Sequence, residues 1–269
     1  MIFAASQVVL TLVILMYASW SDYKTREVSN RVWLIYAPIA LSLTLSELLL
    51  FDPSMLPFYG LSFGVTVGLA FLLFYVGGFG GADSKAFMCI ALALPFAPLA
   101  LFTPLIAESI SPTSQIIFPI TIFGNAVLFA AASCIYIILR NLIWHKKTKT
   151  KMFQGTLAAE SIAKKLIVLI TGYRISVSKV KEKWHIFPLE DIEDEAGNLK
   201  RKLVVVPHDD EGREKIVERL SKAAEEGKIG DYVWATPGLP MLIFVTLGLV
   251  VALFLGDFVW LLVRFILGA

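Results

Sequence analysis

Two carboxylates in this chain stand where chemistry is possible. Asp22 follows a long apolar run, and Asp83 sits in "GGFGGADSKAF", residues 77–87, just before another. Ionisable groups beside membrane-length apolar runs are costly and usually functional. Each has a simpler reading alone. Asp83 suits the N-cap of a following helix, and Asp22 suits an interfacial residue paired with Lys24 or Arg26. As a pair they suit water attack on an amide. Two carboxylates about 3 Å apart share one proton and titrate as a unit. The ionised partner takes a proton from water, and the protonated one polarises the scissile carbonyl. The flanking glycines would let a substrate strand approach the backbone beside Asp83 and let the two acids move together.

Such a pair needs elements that bring it together across sixty residues of sequence. The chain has 269 residues, 57% of them hydrophobic, and a mean hydropathy of +0.73, too apolar for an ordinary soluble protein. Six apolar stretches approach the ~20 residues of a membrane helix: 2–20, 32–50, 58–76, 84–104, 114–140 and 239–266. The fourth contains Pro95 and Pro98 and is expected to be short or kinked. The first has no basic residue ahead of it, so it does not read as a cleaved leader. Gly60, Gly64 and Gly68 predict close helix–helix packing in the third.

Charge sets the orientation. The loops "SDYKTREVSNR" and "RNLIWHKKTKTK" are basic, as is the Lys85 loop, whereas "FDPSMLPF" and "FTPLIAESISPTS" hold no Lys or Arg. The positive-inside rule puts the three basic loops on the cytoplasmic side, both termini outside, and Asp22 and Asp83 together at the inner boundary. The expected fold is an all-α polytopic membrane protein of six transmembrane helices with a small inserted α+β domain. The first five helices occupy 1–144, the cytoplasmic domain 145–236 and the last helix 237–269.

Within that domain, "YRISVSKV" and "KLVVVP" read as strands, "EAGN" as a turn and "EGREKIVERLSKAAEEG" as an amphipathic helix closed by Gly227. "LAAESIAKKLIVLI", 157–170, is read as packing on the domain, with a membrane-surface helix as the alternative. The acidic run "EDIEDE" reads as a solvated loop. The glycines of 77–81 lack the GK[ST] of a phosphate loop. His145, His185 and His208 lack ligand spacing, and Cys89 and Cys134 form no CxxC pair. No metal, cofactor or nucleic-acid partner is expected.

"GGADSKAF" resembles the GxGD motif of intramembrane aspartyl proteases, a group that includes type IV prepilin peptidases and archaeal preflagellin peptidases. "SDYKTREVSNRV" resembles the first-aspartate segment of the prepilin peptidase branch, with its basic loop and an Asn near the start of the second helix. The resemblance implies that Asp22 and Asp83 are the catalytic pair, that Gly80, Gly81 and Ala82 form the flanking loop, and that Lys85 is the family's lysine two residues on. Ala82 departs from GxGD and matches the GGAD form of archaeal members. "TPGLPML", with Pro237, Leu239 and Pro240, is similar to a proline–leucine–proline element that holds substrate in related proteases; a plain helix start reads equally well. Bacterial prepilin peptidases often carry a zinc-binding CxxC domain linked to N-methylation, which this sequence lacks.

The expected function is that of an endopeptidase at the cell membrane. It would remove the short basic leader of preflagellin (archaellin) or type IV prepilin-like precursors at the cytoplasmic face, without N-methylation. Its partners would be those precursors and the lipid bilayer. Lys85 could orient Asp83 or serve as a positive-inside anchor, and "EDIEDE" could steer a basic leader electrostatically. The main rival is an ion-coupled transporter or channel using the buried carboxylates; a non-enzymatic membrane anchor is the other.

Overall fold

The computed structural model describes residues 1–195, 198–204 and 210–268. In chain order its helices begin with α1 (Ile2–Thr25), α2 (Asn30–Phe51), α3 (Leu56–Tyr75), α4 (Gly81–Ala93), α5 (Pro112–Ile116) and α6 (Phe118–Thr148). A mixed region follows: α7 (Ile162–Thr171), β1 (Tyr173–Ser176), α8 (Val177–Glu182), β2 (Ile186–Pro188), β3 (Glu190–Glu195), β4 (Asn198–Leu203), α9 (Asp210–Glu225) and β5 (Tyr232–Pro237). The chain closes with α10 (Met241–Phe254) and α11 (Phe258–Leu267). Two compact units result, one from 1–130 with 240–269 and the other from 131–239.

Among the described residues α1, α2, α3 (with the short turn before it) and α6 are each long and apolar enough to cross a bilayer, and α10 with α11 can form a fifth crossing, bent by 66°. This is a multi-pass membrane protein. The expected fourth crossing is not one helix. α4 has 13 residues, about 20 Å at 1.5 Å per residue, against an apolar layer of about 30 Å. Leu94 precedes Pro95 and leaves the helical region (φ −132°), as the proline ring requires. The irregular chain beyond it stays at low cost because its polar groups find protein partners. The Pro95 carbonyl accepts from Ser62 Oγ (2.9 Å) and from the Phe118 amide (2.9 Å), and the Ala97 amide donates to Ser114 O (2.9 Å).

The last apolar stretch is also broken, at Gly256. Its φ of +92° favours glycine, and a Cβ there would lie 1.9 Å from Ser109 Oγ. Asn125 spans the break, donating to Gly256 O (2.9 Å) and accepting from the Phe258 amide (3.0 Å). Asp257 is buried and accepts from Ser111 Oγ, Thr121 Oγ1 and the Trp260 amide. The core beneath is made by Leu15, Tyr36, Ile90, Leu94, Phe118, Ile122 and Leu242. Tight helix packing occurs elsewhere than expected. Cβ atoms on Gly60, Gly64 or Gly68 would meet nothing within 4 Å, because that stripe of α3 is exposed. The close approach is at Gly248 of α10, where a Cβ would lie 2.6 Å from Ile122 O.

In the second unit β1, β5 and β2 form an antiparallel sheet with β5 central, and β3 pairs with β4 as a hairpin. The strand expected in "YRISVSKV" stops after four residues and turns into α8. α9 forms where its amphipathic pattern lies, with Gly227 (φ +67°) just past its end. Val180, Ile186, Ile216, Leu220, Val233 and Ala235 fill one core, and Leu157, Val168, Leu189, Leu203 and Trp234 a second. Ala196 and Gly197 of the expected turn, Val205–Pro207 of "KLVVVP", and His208 lie outside the described residues.

The acidic run forms β3 and not a loop, and its Glu190 and Asp191 are buried and not solvated. Glu190 is fully buried and pairs with Arg201 and Arg174, while its Oε1 accepts from the Trp234 amide (2.9 Å). Asp191 holds Arg219 through both oxygens (2.8 and 3.0 Å), and Glu193 pairs with Lys202. Carboxylates neutralised this way leave little field to steer a basic peptide.

Candidate active site

Asp22 lies in the last turn of α1, half-buried. The helix ends on Arg26, a non-glycine residue at φ 59°, whose amide donates to Asp22 O (2.9 Å) and whose charge acts on the Asp22 carboxylate. The loop that follows is pinned because Ser21 Oγ and Thr25 Oγ1 both donate to Glu27 O. On its inner side the carboxylate faces the backbone amide of Leu242, in the first turn of α10. Free amides of a helix N-terminus suit a carboxylate. α1 is fastened to α10 one turn earlier. Ser19 Oγ donates to Leu242 O (2.8 Å) and lies 2.7 Å from Thr246 Oγ1.

Asp83 lies in the first turn of α4, half-buried, and its Oδ2 accepts from the Gly80 amide (3.0 Å). Asp83 is not the N-cap expected from sequence: Gly80 holds that position, and Asp83, three residues on, reaches back to its amide with one face of the carboxylate only. The charge of Asp22 acts on Asp83, so the two acids lie within electrostatic reach of each other. They come from the end of one helix and the start of another.

The glycines divide by task. Gly77 (φ +78°) and Gly78 end α3: the Gly78 amide donates to Leu73 O (2.8 Å) and the Gly77 amide to Phe74 O (3.1 Å), the paired bonds of a left-handed helix cap. Phe79 anchors the loop, stacked on Phe87 (5.3 Å) and edge-on to Phe123 (5.8 Å). Gly80 stands against the acid, since a Cβ there would lie 3.1 Å from Asp83 Oδ2. Gly81 is near Phe74, and Ala82 packs partly into the core.

Lys85 is exposed, and its Nζ donates to Asn30 Oδ1 (2.7 Å) at the first residue of α2. It links α4 to α2 rather than contacting Asp83. Pro237 ends β5 opposite Ile186, and Leu239 is exposed; both belong to the 131–239 unit. Pro240 precedes α10 in the other unit, two residues before Leu242. Among the described residues no group of His, Cys, Asp and Glu could hold a metal ion.

Residues 9–140, which contain both aspartates, match the family model of the type IV leader peptidases, and residues 164–258 match that of the archaeal peptidase A24 C-terminus, type II. The chain belongs to the type IV leader peptidase family. It is similar to the preflagellin peptidase of Methanococcus voltae, 28% identical over 249 residues, 90% of this chain and 92% of that one. It is similar also to the preflagellin peptidases of Methanococcus maripaludis (25% over 252 residues; 90% and 92% covered) and Methanocaldococcus jannaschii (26% over 252 residues; 90% and 91% covered). In this leader peptidase family member, Leu242 and Ser19 join the aspartates without having been singled out from sequence, whereas Arg26, expected beside Asp22, acts on it. Arg26 had a signal, four residues after Asp22 in a basic loop. Ser19 and Leu242 had none, being an ordinary serine and a leucine 220 residues further on.

Proposed function

We propose that this protein is a membrane-embedded aspartyl endopeptidase that removes the basic leader from preflagellin or type IV prepilin-like precursors. The observation that carries the reading is the placing of Asp22 and Asp83, two half-buried carboxylates within electrostatic reach, inside the segment shared with the leader peptidases. One carboxylate takes a proton from water while the water oxygen attacks the scissile carbonyl carbon; the other, protonated, donates to the carbonyl oxygen. The tetrahedral intermediate then collapses, the C–N bond breaks, and the leaving nitrogen takes up a proton from the pair. Gly80, Gly81 and Ala82 form the backbone beside the bound strand. Lys85 positions α4 through Asn30. Pro240 opens the helix whose Leu242 amide faces Asp22, and the resemblance of "TPGLPML" gives Pro237, Leu239 and Pro240 a substrate-holding role.

The basic loops face the cytoplasm, both termini lie outside, and the chain crosses the membrane six times, with α4 and the irregular chain after it as one crossing. The charge alternation of the loops supports this topology. The product leaves with an unmodified N-terminal amine. Purified protein in detergent, incubated with a preflagellin and separately with a prepilin-like precursor, tests the reading. Mass spectrometry is expected to find a single cut at the leader boundary and no added methyl. No cut in either precursor would overturn it.

A further inference from the structure

The face of α7 that points away from its own unit is apolar. Val168 is fully buried, and with Leu169 it packs against Leu157, Leu189, Leu203 and Trp234. On the other side Ile162, Leu166 and Ile170 recur at four-residue spacing with Ile167 beside them, and they are 76%, 56%, 38% and 38% exposed. Four large aliphatic side chains in ten residues are costly to leave in water.

Where α7 sits identifies what covers it. Asn141 of α6 is buried, and its Nδ2 donates to Leu169 O (3.0 Å) and Gly172 O (2.8 Å), the free carbonyls at the end of α7. Asn141 directly follows Arg140, where the apolar run of α6 gives way to charge. The Arg140 guanidinium lies 3.6 Å from the ring centre of Tyr173, the residue after Gly172. The last turn of α7 is thus fixed to a membrane-spanning helix at the level where its apolar surface stops. A second link agrees: Thr236 Oγ1 donates to Thr171 O (2.7 Å), and β5 ends at Pro237, four residues before the apolar α10 begins. Charge points the same way. Lys146, Lys147, Lys149 and Lys151 are exposed on the segment leading to α7, and no acidic residue occurs between Arg140 and Ala159.

We propose that α7 lies in the headgroup layer of the bilayer, its Ile162–Leu166–Ile170 face in the acyl boundary and the neighbouring lysines on anionic lipid phosphates. This is the arrangement of an interfacial amphipathic helix. It would fix the 131–239 unit on the membrane surface. Packing on the unit, expected from sequence, accounts for the Val168 face alone. The proposal does not depend on the peptidase reading.

The test is nitroxide accessibility in the full-length protein, in nanodiscs of phosphatidylcholine and phosphatidylglycerol. Cys134 is replaced by Ala, and buried Cys89 is left in place. Labels go on Leu166→Cys and Ile170→Cys, with Lys215→Cys on the exposed face of α9 as control. All three are surface positions, and the elution profile in detergent checks folding. At Leu166 and Ile170, oxygen, which partitions into lipid, is expected to relax the label several-fold more than a water-soluble nickel complex, with the reverse at Lys215. Dominant nickel relaxation at both α7 sites would overturn the proposal. Spin–spin coupling between molecules at those sites would also overturn it, by showing a second copy on the face.

Discussion

At the scale of single residues, Gly80 is the most exposed to test. Its amide holds Asp83 Oδ2, and a methyl group at its Cβ would press on that oxygen from 3.1 Å. The backbone there is ordinary (φ −74°), so the glycine is needed for space and not for conformation. Gly80→Ala is expected to lower kcat about 10-fold or more while leaving Tm within a few degrees, because small displacements of a reacting group are expensive. Steady-state cleavage with a melting curve separates the two. Lys85 and Asn30 act as one link, so Lys85→Met and Asn30→Ala should each cost about 0.5–1.5 kcal/mol of stability. The double variant should cost little more than either single one, and a double-mutant cycle reads the coupling. The two aspartates stood out as candidates because isolated carboxylates beside apolar runs are rare. Their partners were not: nothing in a serine at 19 or a leucine at 242 announces contact across more than 200 residues.

At the scale of elements, the loop before Asp83 is held at two points. Gly77 adopts φ +78° to end α3, and Gly77→Ala is expected to cost about 1–2 kcal/mol from the left-handed backbone alone. Phe79 is the aromatic plug, and Phe79→Ala should cost about 3 kcal/mol and release the loop, lowering activity with stability. Thermal unfolding in detergent measures both. Crossing-length apolar runs were readable wherever the helix is continuous, as in α1, α2, α3 and α6. The shortness of the fourth helix was readable too, in Pro95 and Pro98. Two features were hidden. Buried side chains and amides satisfy the irregular chain after α4, a property of packing and not of the run itself. The bend at Gly256 depends on Ser109 and Asn125, both far away in sequence.

At the scale of the whole molecule, the charged unit is tied together by carboxylates that look like surface in the sequence. Glu190 reads as solvated because Arg174 and Arg201 are 16 and 11 residues away; the β3–β4 pairing brings Arg201 to it, and Arg174 comes from β1 of the other sheet. Glu190→Gln leaves buried guanidinium groups without their counter-charge and is expected to destabilise the unit by about 3–5 kcal/mol, seen as a lower unfolding temperature of the full chain. Glu160 gives the pH dependence. Desolvation pushes its carboxyl up, but the Leu203 amide and Lys164 outweigh this and hold it below the ordinary carboxylate value. Its contribution is therefore present above the unfolded value and lost as pH falls through the folded one. Glu160→Gln should flatten the acid side of the stability profile and leave the alkaline side unchanged.

In the proposed reaction Asp22 and Asp83 act together on a peptide bond. The most direct measurement is cleavage of a preflagellin by purified wild type, Asp22→Asn and Asp83→Asn proteins, with circular dichroism confirming that each is folded. An asparagine keeps the size of the side chain and removes its ability to take up the proton. Wild type is expected to cut, and neither variant. A cut by either folded variant would contradict the proposed reaction and remove that aspartate from the chemistry.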